Sequence, residues 1–214
     1  MGSSIAGGGG NTDNIDTATS INWGNAWTML IWVYPTTLSG IQVPVNAGAN
    51  SRTYPLHFNG TTAKCKDNDD TAFVEITGFT TNKWWCLATS ANGSDTTNIY
   101  SGDGDTAMTL GDTDSAVSWS SDTSDVIIAG HSTKWPFIGS IAHLHVYTRL
   151  LSIPELIEIQ YKPGSIANGI ACHYPLWDNV NVADLSGLAV DGTVNGTINS
   201  SVLGPPVYFP KLGT

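Results

Sequence analysis

Carboxylates are the first groups to test for chemistry, and glutamate occurs only at Glu75, Glu155 and Glu158. Hydrolysis of a glycosidic bond needs two carboxyl groups flanking it, one donating a proton and the other acting as nucleophile or base. Alternate residues of a strand share a face, so such a set would read Glu-x-Asp-x-Glu. No such spacing exists here. Glu75 stands alone in a strand-like stretch, and Glu155 and Glu158 share a helical one. A Gly-x-Ser-x-Gly elbow, a His-Glu-x-x-His pair and a phosphate-binding loop are also absent from the sequence. The sequence therefore predicts recognition or assembly rather than catalysis, and the protein is expected not to be an enzyme.

Aspartates offer a second chemistry. Asp103, Asp105, Asp112 and Asp114 lie in a polar stretch, Ser101 to Asp125, that reads as a long surface loop. Calcium takes roughly six to eight oxygens, and a flexible Asp-Gly loop can wrap one. The spacing fits no EF-hand, and a solvated loop accounts for it equally. Asp13 and Asp16 are the other calcium candidates, set against ordinary turn chemistry in which Asp side chains bond nearby N–H groups. His143 and His145 are two apart on a strand, so both rings would face one way and could ligate a transition metal. No third ligand is identifiable, and the alternative is a pair on a partly exposed sheet face. Trp119, Trp135 and Tyr54 lie near turns, where a ring can stack on a sugar or pack inward.

The elements that must position these groups are mostly strands. Eight Trp, seven Tyr and five Phe sit among abundant Gly, Ser, Thr, Asn and Asp, which reads as apolar strands joined by polar turns. Met29 to Tyr34 and Trp84 to Thr89 are the strongest strand stretches. Asn59-Gly60 joins Tyr54–Phe58 to Thr61–Lys66 as a hairpin. Further strands are expected at Val126–Ala129, Phe137–Thr148, Ile170–Leu176 and Gly192–Ile198, with a short one at Ala116–Trp119. Ser152 to Tyr161 is the one helix, opened by Ser152 with Glu155 three residues on and closed by Lys162-Pro163-Gly164. Of the three cysteines, Cys86 and Cys172 read as buried thiols, and a Cys65–Cys86 bridge is conceivable. Residues 1–12 read as a flexible Gly-rich arm, 13–204 as one domain and 205–214 as an extended tail.

Several stretches together resemble the laminin-G-like branch of the concanavalin A-like jelly rolls. They are Asn11 to Asp16, the TMLIWVYPTTLS run from Thr28 to Ser39, and WWCLATSANGS from Trp84 to Ser94. FIGSIAHLHVYTRLLSIPELI, Phe137 to Ile157, resembles that family's Phe-x-Gly-x-Ile strand and its Tyr-x-Arg-x-Leu-Ser step into a short helix. Tyr174-Pro175-Leu176, Asp184 to Gly187 and Asp191 to Thr193 resemble its opening strand, placed here after the helix, where they would supply late edge strands in this chain or in a neighbouring copy. The resemblance implies an all-β fold, a two-sheet antiparallel jelly-roll sandwich with one short helix near 152–161.

Function follows less directly, because one sandwich hosts many tasks. The formal charge of −10 disfavours nucleic acid. The longest apolar runs are strand-sized, so no membrane insertion is expected, and the N-terminus lacks the pattern of a signal peptide. The leading expectation is a virion surface protein, a capsid decoration or tail-fibre component, partnered by its own copies or other virion proteins and possessing some capacity for glycans. The alternative is a secreted prokaryotic carbohydrate-binding or adhesion module. The location would be virion surface or extracellular, with Ca2+ the one candidate cofactor.

Overall fold

A computed structural model describes residues 5–7, 13–17, 21–47, 54–66, 73–115, 123–124, 126–130, 135–176, 182–200 and 204–207. In chain order the strands are β1 (Ile5–Gly7), β2 (Asn14–Thr17), β3 (Ile21–Asn22), β4 (Trp27–Pro35), β5 (Ile41–Ala47), β6 (Tyr54–Asn59), β7 (Thr62–Lys66), β8 (Phe73–Thr77) and β9 (Trp85–Ala91). They continue with β10 (Thr97–Asp103), β11 (Thr109–Asp114), β12 (Thr123–Ser124), β13 (Val126–Ile128) and β14 (Gly139–Tyr147). Helix α1 (Ile153–Tyr161) precedes β15 (Ile170–Tyr174), β16 (Gly192–Asn195) and β17 (Ile198–Ser200).

Two antiparallel sheets form the sandwich. One runs β11-β10-β9-β4-β14-β1-β17, with β15 also paired to β14, and the other runs β16-β2-β13-β5-β6-β7-β8. The pair β12–β3 stands apart from both. Alternation fixes the faces. Met29, Ile31 and Val33 of β4 point into the core between the sheets, with Val45, Leu56, Phe58 and Val126 opposite, while Leu30 and Trp32 point outward under α1. Leu156 and Ile159 of the helix complete that outer layer, so β4, β9 and β14 at the centre of this sheet are buried on both faces. Full burial of one such aliphatic side chain stabilises the fold by roughly 1.5–3 kcal/mol.

Both ends of α1 are held by side chains. The Glu155 carboxylate accepts the Ser152 N–H at 2.8 Å and its hydroxyl at 2.9 Å, and pairs with Arg149 at 2.7 Å. Near the other end the buried Gln160 side chain donates to the carbonyls of Asp103 and Thr106, at 2.7 and 2.9 Å, and accepts the Met108 N–H at 2.7 Å. Those bonds fasten the helix to the β10–β11 turn.

Several expectations need correction. The stretch from Ser101 is no simple loop: β10 runs to Asp103 and β11 returns along it as an edge strand. Its polar sequence, TLGDTD, hides it because an edge strand gains pairing with little burial. Within the expected free arm, Ile5–Gly7 pairs with both β14 and β17. The expected strand Gly192–Ile198 breaks at Gly196 (φ 72°), and its halves join different sheets. The three cysteines are buried and in no disulfide; Cys65 faces the inter-sheet core and Cys86 the layer under α1, so no bridge joins them. The late strands pair within the chain. The expected strand at Ala116–Trp119 lies outside the described residues.

Candidate functional site

The aspartates singled out from sequence do not converge. Asp103 closes β10 and is buried; its Oδ2 pairs with Lys83 at 2.7 Å and its Oδ1 accepts the N–H groups of Asp105 and Thr106 at 2.8 and 2.7 Å. Burial pushes the carboxyl up, but Lys83 and those two N–H groups outweigh it and hold it below the usual carboxylate range. Asp105 is exposed at the turn. With the carboxylate engaged by donors and two loop carbonyls turned onto Gln160, this turn is not arranged as an oxygen cage for calcium. Asp112 is committed as well, its Oδ2 accepting the Glu75 N–H at 3.0 Å and so bridging β11 to the edge of the opposite sheet.

Asp13 and Asp16 belong to the other sheet. The Asp13 carboxylate accepts the Thr197 N–H at 2.9 Å, and Asp16 stands mid-strand between Ile127 and Thr193. Asp13 precedes β2 whereas Asp16 lies within it, and the Asp13 carboxylate is already engaged by Thr197. Among the described residues no group of three or more His, Cys, Asp or Glu side chains is placed to hold a metal.

The aromatic candidates separate in the same way. Trp119 lies outside the described residues. Tyr54 opens β6 opposite Lys66, and its side chain also lies outside what is described. Register carries Tyr54 towards the Ala47 end of β5, whereas the Trp135 carbonyl accepts the Val43 N–H, at 3.1 Å, near the strand's start. Trp135 is half-buried in the connection from β13 to β14, with its backbone at φ 54°. A bulky residue rarely adopts that conformation, which costs about 1–3 kcal/mol, and such strain clusters at functional sites. The surrounding structure fixes it. Ala129 (φ 72°) donates to the Pro44 carbonyl at 2.8 Å, Phe137 to Ala129 at 3.0 Å, and Ile138 to the buried Gln42 side chain at 2.9 Å. Asp13 reaches the same rim, its carbonyl 3.9 Å from the position a Cβ on Gly130 would take.

His143 and His145 are buried, not partly exposed as expected. A bulge between Ala142 and His145 breaks the alternation, with His143 at φ 51°. A third imidazole joins them. His173 lies directly across from His145 in the β14–β15 register, and the two rings stack at 4.0 Å. Burial, aided by His173, lowers His143 to about 3, and burial lowers His173 to about 4 against the opposing pull of Asp184. Burial, then His173 and His143, holds His145 well below the ordinary value. Sequence spacing gave no sign of this cluster, because His173 lies beyond the helix and the bulge has no local signature.

No protein-family model matches the chain, and no curated protein matches it in sequence. Its architecture is similar to that of a Bacteroides ovatus protein provisionally described as carbohydrate binding, at 17% identity and TM-score 0.67 over 97% of this chain. The chain spans 62% of that protein's length. It is also similar to a heptameric SAP-like pentraxin of Limulus polyphemus, at 12% identity and TM-score 0.62, covering 94% of this chain and 95% of the pentraxin. The fold is a two-sheet antiparallel jelly-roll sandwich, shared with these two structures.

The jelly-roll motifs read from sequence now have physical reasons. In Phe137-x-Gly139-x-Ile141, a Cβ on Gly139 would stand 2.2 Å from the Tyr34 carbonyl oxygen and 2.9 Å from the Pro35 Cα. In the step into the helix, the Tyr147 hydroxyl donates to the Ile166 carbonyl at 2.9 Å. Arg149 donates to the Asn168 and Leu150 carbonyls, at 2.9 and 3.1 Å, as well as to Glu155. In the late jelly-roll segment, Asp184 gathers the N–H groups of His173, Ser186 and Val190 at 2.8, 2.9 and 3.3 Å. Among the described residues no helix is long and apolar enough to cross a membrane.

Proposed function

We propose that this chain is a non-catalytic carbohydrate-recognition module whose ligand stacks on the rim around Trp135. The observation that carries the reading is Trp135 itself, a half-buried indole held on a left-handed backbone by Val43, Pro44 and Gln42. A rigid ring offers a sugar apolar area at small entropic cost. The likeness to a Bacteroides ovatus protein described as carbohydrate binding supports the reading. The glutamates support the non-catalytic part. Glu75 pairs with Lys64 at 2.8 Å on β8, and Glu155 pairs with Arg149 at the helix start, so the two do not flank one bond. Binding is proposed to be independent of calcium, because the oxygens around Asp103 are engaged by protein donors.

A second reading keeps the same module on a virion surface, as a decoration or fibre component meeting other copies or other virion proteins. The charge of −10 favours it, since an acidic outer surface avoids packaged nucleic acid. A glycan array run on the purified chain with calcium and again with a chelator tests the first reading. Saturable binding in both conditions is expected. Binding lost on chelation would return the site to the aspartates, and no binding in either condition would leave the virion assembly role.

A further inference from the structure

We propose that His143, His145 and His173 form an acid-released latch that holds β15 and the turn after α1 against β14. The latch is independent of the glycan reading and rests on how the rings are engaged. The Gly164 N–H donates to His145 Nε2 at 3.1 Å, so that nitrogen keeps its lone pair. The proton is therefore on Nδ1, which donates to the His143 carbonyl at 3.0 Å. Both nitrogens of the neutral ring are in use. Its one remaining place for a second proton is Nε2, where an added N–H would oppose the Gly164 N–H and detach the Lys162–Ser165 turn. The resulting cation would lie 4.0 Å from the stacked His173 ring, whose Nε2 is buried and has no hydrogen-bond partner among the described residues.

The charges facing the cluster are few. Tyr147 of β14 lies beside His145, with Arg149 over its ring at 5.9 Å and Glu155 paired to that arginine. β15 contributes Cys172 and His173. From the segment after it, Asp184 accepts the His173 N–H at 2.8 Å, and Asp191 accepts the Asp184 N–H at 3.0 Å. The turn after the helix adds exposed Lys162. Asp184 favours a proton on His173, and a charge there opposes one on the stacked His145.

The element that would leave is suited to leaving. β14 is flanked on one side by β4 and on the other by two short strands end to end, β1 at Ser140–Ile141 and β15 from Leu144 to Tyr147. The latch sits at their junction, where the His143 backbone N–H donates to the Pro175 carbonyl at 3.1 Å. Two left-handed backbones, His143 and Leu176 (φ 57°), flank that bond and relax when it opens. Among the described residues β15 pairs only with β14, so residues 164–176 can detach while β4–β14 stays whole.

The test is residue-resolved hydrogen exchange on the full chain at about pH 7 and about pH 4.5, corrected for intrinsic rates. Protection of the Ala171–Tyr174 amides is expected to fall by about tenfold more than that of Leu87–Thr89 in β9. In the His145→Gln/His173→Phe double variant, which keeps an acceptor for Gly164 and a stacking ring, that extra loss should disappear. Equal protection of β15 at both pH values, or an unchanged loss in the variant, overturns the latch. Should the variant fail to fold, NMR titration of the wild-type rings decides. His145 staying neutral in the Nδ1–H form well below the ordinary imidazole range supports the latch, and an ordinary midpoint near ~6.5 overturns it.

Discussion

Trp135, His143 and Leu176 hold φ at 54°, 51° and 57°, angles that histidine adopts more readily than tryptophan or leucine. The three fall at only two places, the rim before β14 and the junction of β1 with β15, which are the places given roles above. Residue types hinted at the first, since an aromatic near a turn is visible in sequence. The second was hidden, because the bulge that buries His143 is set by partners more than twenty residues away in sequence. Gln160 was hidden for a related reason: a glutamine near a helix end looks like surface until its three bonds to residues 103–108 are seen. Gln160→Leu leaves the buried Met108 N–H without its acceptor and takes one donor each from the Asp103 and Thr106 carbonyls. It should destabilise the fold by about 3 kcal/mol in urea unfolding, with an unchanged m-value. Gly139→Ala, which drives a Cβ into the β4 backbone, should cost at least that much and lower soluble yield.

At the scale of elements, the sequence was readable wherever burial and local turn chemistry agreed. β4, β9, the Asn59-Gly60 hairpin and α1 combine apolar alternation or periodicity with a stop signal, and each appears within a residue or two of its expected bounds. β1 was missed because its pairing comes from strands far away in sequence, and β11 because its residues contribute little burial. The helix start supplies a pH-dependent check. Arg149 first, then Ser152, hold Glu155 at about 2 against an ordinary 4.5. A carboxyl depressed on folding adds stability that is complete above its unfolded value and is lost as pH falls towards its folded one. Glu155→Gln should therefore lower the urea midpoint at pH 7, and the deficit should shrink between about pH 4.5 and 2.

For the whole molecule, acid acts in the same direction through buried imidazoles. His57, held at about 4 by burial and then by Lys66 and Lys64, joins His143, His145 and His173 in being depressed on folding. Below about 6.5 the unfolded chain binds protons that the folded chain refuses, so stability should fall as pH drops from there towards 4. Urea midpoints across that range measure it, and a flat profile would contradict the burial of these rings. The jelly-roll architecture itself was legible from motif residues, whereas the position of a site was not, since strand pairing decides which loops share an end. Glycan recognition at the Trp135 rim is tested by calorimetric titration of wild type and Trp135→Ala with the strongest glycan from the array. Saturable binding by wild type and a loss of about tenfold or more in the variant, with folding intact, is the predicted result. Absence of saturable glycan binding by wild type, or equal affinity in the variant, would contradict it.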